Sequence, residues 1–176
     1  SACSGNYYIE NKQFVDCKFL KHVKLFNAAY IKDYMFENCI NLKHVEFPNA
    51  HYIGQNAFTN CHSLTQITFP KIKYVRKEAF EGCIKLSEIY LPKALIIFDF
   101  AFANCSSLVY FNAIKCETIH QCAFQNCIKL SKVKIPKTTL VNKTAFVNTS
   151  IMNNCKGIWK FAKCRQINGE KASNCI

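Results

Sequence analysis

Apolar positions recur along this chain with a period of 22. Phe14, Phe36, Phe58, Phe80, Phe102, Phe124 and Phe146 stand 22 residues apart without an insertion. Three residues after each comes a cysteine, at Cys17, Cys39, Cys61, Cys83, Cys105 and Cys127, with Thr149 in the seventh place. Further apolar columns follow: Leu20 to Leu130, then Val23 to Val133, then Leu25 to Ile135. Proline closes four of the six units, at Pro48, Pro70, Pro92 and Pro136, and a column of Ile or Val runs upstream of each Phe, from Ile9 to Val141. A fixed period of this length marks a repeat architecture and has to be read before any single motif.

Spacing within the unit predicts its local structure. Val45, Glu46 and Phe47 alternate inward and outward, so Leu-x-x-Ile-x-Leu reads as a short strand with three inward side chains. The proline that follows cannot extend it. Ala-Phe-x-x-Cys carries apolar residues three apart and suits one turn of α or 3₁₀ helix. Such a unit cannot bury its apolar face alone, and stacking against the next copy buries it. The expected fold is α/β leaning to β: a solenoid of about six repeats with parallel strands spaced ~4.8 Å. Its core is Phe36, Phe58, Phe80, Phe102 and Phe124 with Cys39, Cys61, Cys83, Cys105 and Cys127.

The segments AFTNCHSLTQITFP (57–70), AFEGCIKLSEIYLP (79–92) and AFQNCIKLSKVKIP (123–136) resemble the BspA-like, or Treponema-type, leucine-rich repeat. The resemblance extends over residues 9–149. It implies a curved right-handed leucine-rich-repeat solenoid, found in surface and secreted proteins and acting in adhesion and in binding host molecules, without catalytic residues. Residues 1–8 precede the repeats as an N-terminal extension. From residue 150 the period lapses, and 150–176 reads as a C-terminal cap in which Ile158, Trp159 and Phe161 cover the open core.

Composition changes this picture in two respects. There are 12 cysteines in 176 residues. Six occupy the inward column, where stacked parallel side chains hold Cβ atoms too far apart to bridge, so a reduced ladder is expected. Cys116 also falls at an inward position, shared by Ala28, Ala50, Ile72, Ala94 and Thr138. Cys3, Cys122, Cys155, Cys164 and Cys175 remain. The last three crowd into the cap, where at least one disulfide is expected, with Cys3 a candidate to bridge to Cys17. With a chain that begins Ser1-Ala2-Cys3, these cysteines favour secretion or display at a cell surface. There is no paired-ligand spacing for zinc.

The second respect is charge, formally +12 at neutral pH. It concentrates in a column just after each strand: Asn27, Asn49, Lys71, Lys93, Lys115 and Lys137. Lys24 and Lys134 lie beside it, and Tyr90 and Tyr110 stand between as candidate anchors. Lysines on loops ordinarily act as a solubilising stripe. The sharper reading is a concave-face site for a protein or an anionic glycan, with the field raising on-rates. The cap segment KGIWKFAKCR (156–165) interleaves bases with aromatics and suits contact with an acidic membrane surface. Nucleic acid is disfavoured because no groove-reading motif accompanies the charge.

No enzyme chemistry is indicated. His22 and His44 occupy one outward column and with Glu46 form the best candidate metal set, but two histidines do not make a transition-metal site. Cys122 has His120 nearby without an orienting partner. Gly5, Gly54, Gly82, Gly157 and Gly169 are isolated, which excludes a glycine-rich phosphate loop. No cofactor is called for. The functional expectation is a non-enzymatic binding or adhesion protein. An intracellular scaffold or inhibitor, or a laterally assembling structural component, is the alternative.

Overall fold

The computed structural model describes residues 14–153. Every repeat contributes two short strands where the period suggests one. The first are three residues long: β1 (His22–Lys24), β3 (His44–Glu46), β5 (Gln66–Thr68), β7 (Glu88–Tyr90), β9 (Tyr110–Asn112) and β11 (Lys132–Lys134). The second are two residues long: β2 (Tyr30–Ile31), β4 (Tyr52–Ile53), β6 (Tyr74–Val75), β8 (Ile96–Ile97), β10 (Thr118–Ile119) and β12 (Leu140–Val141). All pairings are parallel and join residues one period apart, as His22 with His44 and Tyr52 with Tyr74. The two-residue strands form one six-stranded sheet, and the three-residue strands form a pair and a four-stranded sheet. The first strand is shorter than expected, with Val45 its inward residue and Leu42 and Phe47 buried just outside its ends.

The expected helical turn is not found in the repeats among the described residues. Across 34–39, alternate N–H groups leave the repeat: Tyr34, Phe36 and Asn38 donate to the carbonyls of Gln55, Ala57 and Thr59, each at 2.8 Å. The intervening Glu37 and Cys39 close tight turns onto Tyr34 and Phe36 at 3.2 and 3.1 Å. A helix needs those N–H groups within its own segment. The segment instead becomes a third hydrogen-bonded side of the solenoid. It bends through left-handed residues in two columns, one being Tyr34, Asn56, Glu78, Phe100 and Cys122, the other Asp16, Asn38, Asn60, Gly82, Asn104, Asn126 and Asn148. Asn, Asp and Gly populate that conformation most readily, which explains the second column's composition. The one α-helix among the described residues is the four-residue α1 (Ser150–Asn153), after the last repeat.

Side chains repeat the ladder. The seven phenylalanines from Phe14 to Phe146 stack nearly face to face, with centroids 5.0–5.4 Å apart. Phe47, Phe69 and Phe111 meet this spine at a tilt. Such pairs add about 0.5–1.5 kcal/mol each beyond burial. Beside the spine runs an amide ladder: Asn38 Nδ2 donates to Asp16 Oδ1 at 3.0 Å and Asn60 Nδ2 to Asn38 Oδ1 at 2.9 Å. It breaks at Gly82 and resumes through Asn104, Asn126 and Asn148, with both later links at 2.9 Å. A Cβ on Gly82 would stand 2.5 Å from Asn60 Oδ1, so that amide occupies the missing side chain's space.

Candidate functional site

The bend between the two strands of each repeat positions the lysines. In Leu91-Pro92-Lys93-Ala94, Ala94 N–H donates to Leu91 carbonyl at 3.1 Å, and both end residues are buried. Proline sets φ at the second position of this turn, and the third residue must then point outward. Lys93 occupies that third place, and Lys71 and Lys115 hold it in their repeats. Two residues on, His51, Lys73 and Leu95 form a second column whose backbones are bonded repeat to repeat, Lys73 N–H to His51 carbonyl and Leu95 N–H to Lys73 carbonyl, both at 2.8 Å. Together Lys71, Lys93, Lys115, His51, Lys73 and Leu95 line a cavity of about 370 Å³.

Its electrostatics are one-sided. Lys71 Nζ donates to Asn49 Oδ1 at 2.6 Å, and Asn49 is itself anchored by donating to Phe26 carbonyl at 2.8 Å. Lys73, Lys93 and Lys115 are exposed and make no ion pair or side-chain hydrogen bond with other described residues. No carboxylate lines the cavity. Glu117 continues the second column beyond Leu95, its N–H bonded to the Leu95 carbonyl at 2.8 Å, but does not line the cavity, where the gathered lysines raise the local potential and favour an anion.

Other expected site residues fall elsewhere. Lys24 is paired with Glu46 at 2.8 Å and lies 4.9 Å from the centre of the Phe26 ring, so its charge is engaged by the protein itself. Lys134 is on β11, away from the cavity lining. Tyr90 and Tyr110 meet edge to face at 5.4 Å on the outer face of β7 and β9. Tyr90 donates its hydroxyl to Glu88 at 3.1 Å, and that carboxylate acceptor raises the phenol's pKa.

Lys137 is excluded for a backbone reason. In the last repeat the bend slides by one residue: Thr139, rather than Thr138, bonds back, to Pro136 carbonyl at 3.2 Å, and takes the buried place. Its hydroxyl then donates to the Cys116 carbonyl at 2.7 Å, which satisfies a buried group. Thr138, expected inward, is exposed.

His22 and His44 stack at 5.2 Å as their shared column implies, but Glu46 is held by Lys24. No group of three or more metal-ligating side chains gathers among the described residues. Cys122 sits 3.7 Å from Thr144 Oγ1, and His120 stacks on Phe98 at 5.1 Å beside Asp99.

The ladder thiols are free, and each from Cys39 to Cys127 donates to the carbonyl of the phenylalanine 25 residues before it, at 3.0–3.2 Å. Burial pushes Cys39 and Cys116 up to about 12 and raises Cys61, Cys83 and Cys105 well above the ordinary thiol range. Such thiols stay protonated and are poor nucleophiles. Cys17 is a free, half-buried thiol. Cys3, Cys155, Cys164 and Cys175, and the basic aromatic segment 156–165, lie outside the described residues.

Period reading missed Lys73 and His51, although both were visible as outward residues two places after the lysine column. Comparison with known proteins places the scaffold. The model of the BspA type leucine rich repeat region matches six copies, over residues 4–54 and 29–153. Among solved structures the chain is similar to a leucine-rich repeat protein from Bacteroides ovatus, at 21% identity and a TM-score of 0.56, over 77% of this chain and 43% of that one. It is similar also to the T. pallidum leucine rich repeat protein, at 18% identity and a TM-score of 0.56, over 78% of this chain and 82% of that one. The chain thus spans less than half the length of the Bacteroides protein. No curated protein matches it.

Proposed function

The chain belongs to the BspA-type leucine-rich repeat family, and from that premise we propose that it is a non-enzymatic binding or adhesion module, secreted or displayed at a cell surface. Its ligand is an anionic protein or glycan, taken at the cavity between the two strand columns. One observation carries this reading: Lys71, Lys73, Lys93 and Lys115 line one cavity without a carboxylate among its walls. Lys137, Lys24, Lys134, Tyr90 and Tyr110 are assigned no direct contact in it.

Titrating binding to an anionic and a neutral surface against salt tests the reading. Retention on the anionic surface alone, lost steeply as salt screens the lysines, is the expected result. Equal retention on both surfaces, or salt-independent binding, contradicts it. Export is tested separately by counting free thiols before and after reduction. At least one disulfide among Cys3, Cys155, Cys164 and Cys175 is expected, and a fully reduced protein isolated under oxidising conditions argues for the intracellular alternative.

A further inference from the structure

The cavity has a neighbour that its charge does not explain. Each residue lining it from the second column is followed in the chain by the outward residue of a two-residue strand: Tyr52 after His51, Tyr74 after Lys73, Ile96 after Leu95. Tyr30 extends this column, in parallel register across β2, β4, β6 and β8. Two of these rings stand in water at a hydration cost, Tyr30 at 67% exposed and Tyr74 at 37%, while Tyr52 between them is half-buried. They are not random surface residues. Tyr30 and Tyr52 lie 6.3 Å apart, and the Arg76 guanidinium lies over Phe98 at 4.6 Å and reaches Tyr52 at 5.9 Å.

We propose that the lysine cavity and the tyrosine column together bind a linear polyanionic glycan, sulfated or uronic, lying along the solenoid axis. The lysines meet its charged groups, and Tyr52 and Tyr74 lie against the apolar faces of its sugar rings. The proposal rests on the anionic-ligand reading above and commits it to one class of polymer.

Three features favour a glycan over an acidic peptide. The lysines of successive repeats advance by about 4.8 Å, the spacing of parallel strands. A sugar chain advances by a similar distance per ring, whereas like-facing side chains of an extended peptide recur about every 6.6 Å and drift out of register. Secondly, β4, β6, β8 and β10, the two-residue strands beside the cavity, are each paired on both sides, so a peptide finds no free edge there to add to as a strand. Finally, a tyrosine offers an apolar ring and a hydroxyl together, which matches a sugar's C–H face and its flanking hydroxyls.

The test uses a heparin octasaccharide and a poly-glutamate peptide of equal net charge, titrated by calorimetry into the full chain across a salt series. Two variants accompany it, Lys71→Ala/Lys93→Ala/Lys115→Ala and Tyr52→Ser/Tyr74→Ser, each first shown to melt within a few degrees of the parent. The octasaccharide is expected to bind at least tenfold more tightly than the peptide. The lysine variant should lower octasaccharide affinity by about a hundredfold, three charges each acting on a polyanion. The tyrosine variant should lower it about tenfold while leaving peptide binding unchanged. Equal affinity for both probes, or no effect of the tyrosine variant, overturns the glycan proposal and leaves the anionic-ligand reading standing, with an acidic peptide as occupant. Failure of both probes to bind, or indifference to the lysine variant, overturns both.

Discussion

Two regions of each repeat, the Phe–Cys segment and the bend between the strands, are built on opposite principles. The Ala-Phe-x-Asn-Cys bend is tied to its neighbours at every level: phenylalanine rings stack, asparagine amides link, thiols donate to carbonyls and alternate N–H groups cross to the next repeat. The bend between the strands is tied through backbone alone in its second column, while three of its four cavity lysines make no side-chain bond among the described residues. One bend therefore carries the fold and tolerates few changes. The other holds charged side chains on a rigid base and is free to be specialised for a ligand.

The largest expected effect breaks the first bend. Phe80 lies between Phe58 and Phe102, at 5.0 and 5.2 Å. Phe80→Ala should cost about 3–5 kcal/mol by urea unfolding, because the cavity interrupts a stack in which each repeat depends on its neighbours. Asn126 comes next. It donates to Asn104, accepts from Asn148 and holds a left-handed φ of 59°. Asn126→Ala should cost about 2 kcal/mol, and Asn126→Gly should recover part of that by restoring the backbone conformation alone.

The thiols supply a pH test of the same bend. Burial raises the folded pKa values of Cys39, Cys61, Cys83 and Cys105 above the ordinary 9.0, with Cys39 at about 12. The neutral thiol is thus favoured by folding, and its stabilising contribution is complete below about pH 9 and lost as pH rises toward 12. The urea midpoint should fall between pH 8 and 10.5, and less steeply in Cys39→Ala. An unchanged slope in that variant contradicts burial as the cause.

Gly82 allows the comparison to be sharpened. Gly82→Asn places the residue common to the other repeats at φ +71° and requires only that the Asn60 amide move aside. It should stabilise by about 0.5–1 kcal/mol through the unfolded state, whereas Gly82→Ala should destabilise. The smallest effect belongs to the other bend: Lys71→Ala, Lys93→Ala and Lys115→Ala should each alter stability by less than about 0.5 kcal/mol.

How far the sequence revealed this division follows from what a period can show. The phenylalanine and cysteine columns were legible because each repeat places one large apolar residue at one depth. The second strand was not, since a pair such as Tyr52-Ile53 has a single inward residue and shows no alternation. The helical reading of Ala-Phe-x-x-Cys is not confirmed because apolar residues three apart describe a surface. They do not say whether N–H groups bond within the segment or across to the next. The asparagine before four of the six ladder cysteines was in plain view and signalled a left-handed residue, a clue that the apolar consensus passed over. Lys71, Lys93 and Lys115 were legible as a charged column, but their convergence with Lys73 and His51 on one open cavity was not. Lys137 could not be separated from them, because threonine occupies both 138 and 139 and the period alone does not choose which is buried.

The central claim is that function resides in the bend the fold does not need. Acylating the lysine amines of the folded chain with and without saturating heparin octasaccharide, followed by peptide mass analysis, addresses it residue by residue. Protection should be confined to Lys71, Lys73, Lys93 and Lys115, with Lys24, Lys43 and Lys134 as reactive as before. Protection spread evenly over all lysines, or centred on Lys24 and Lys134, contradicts the account.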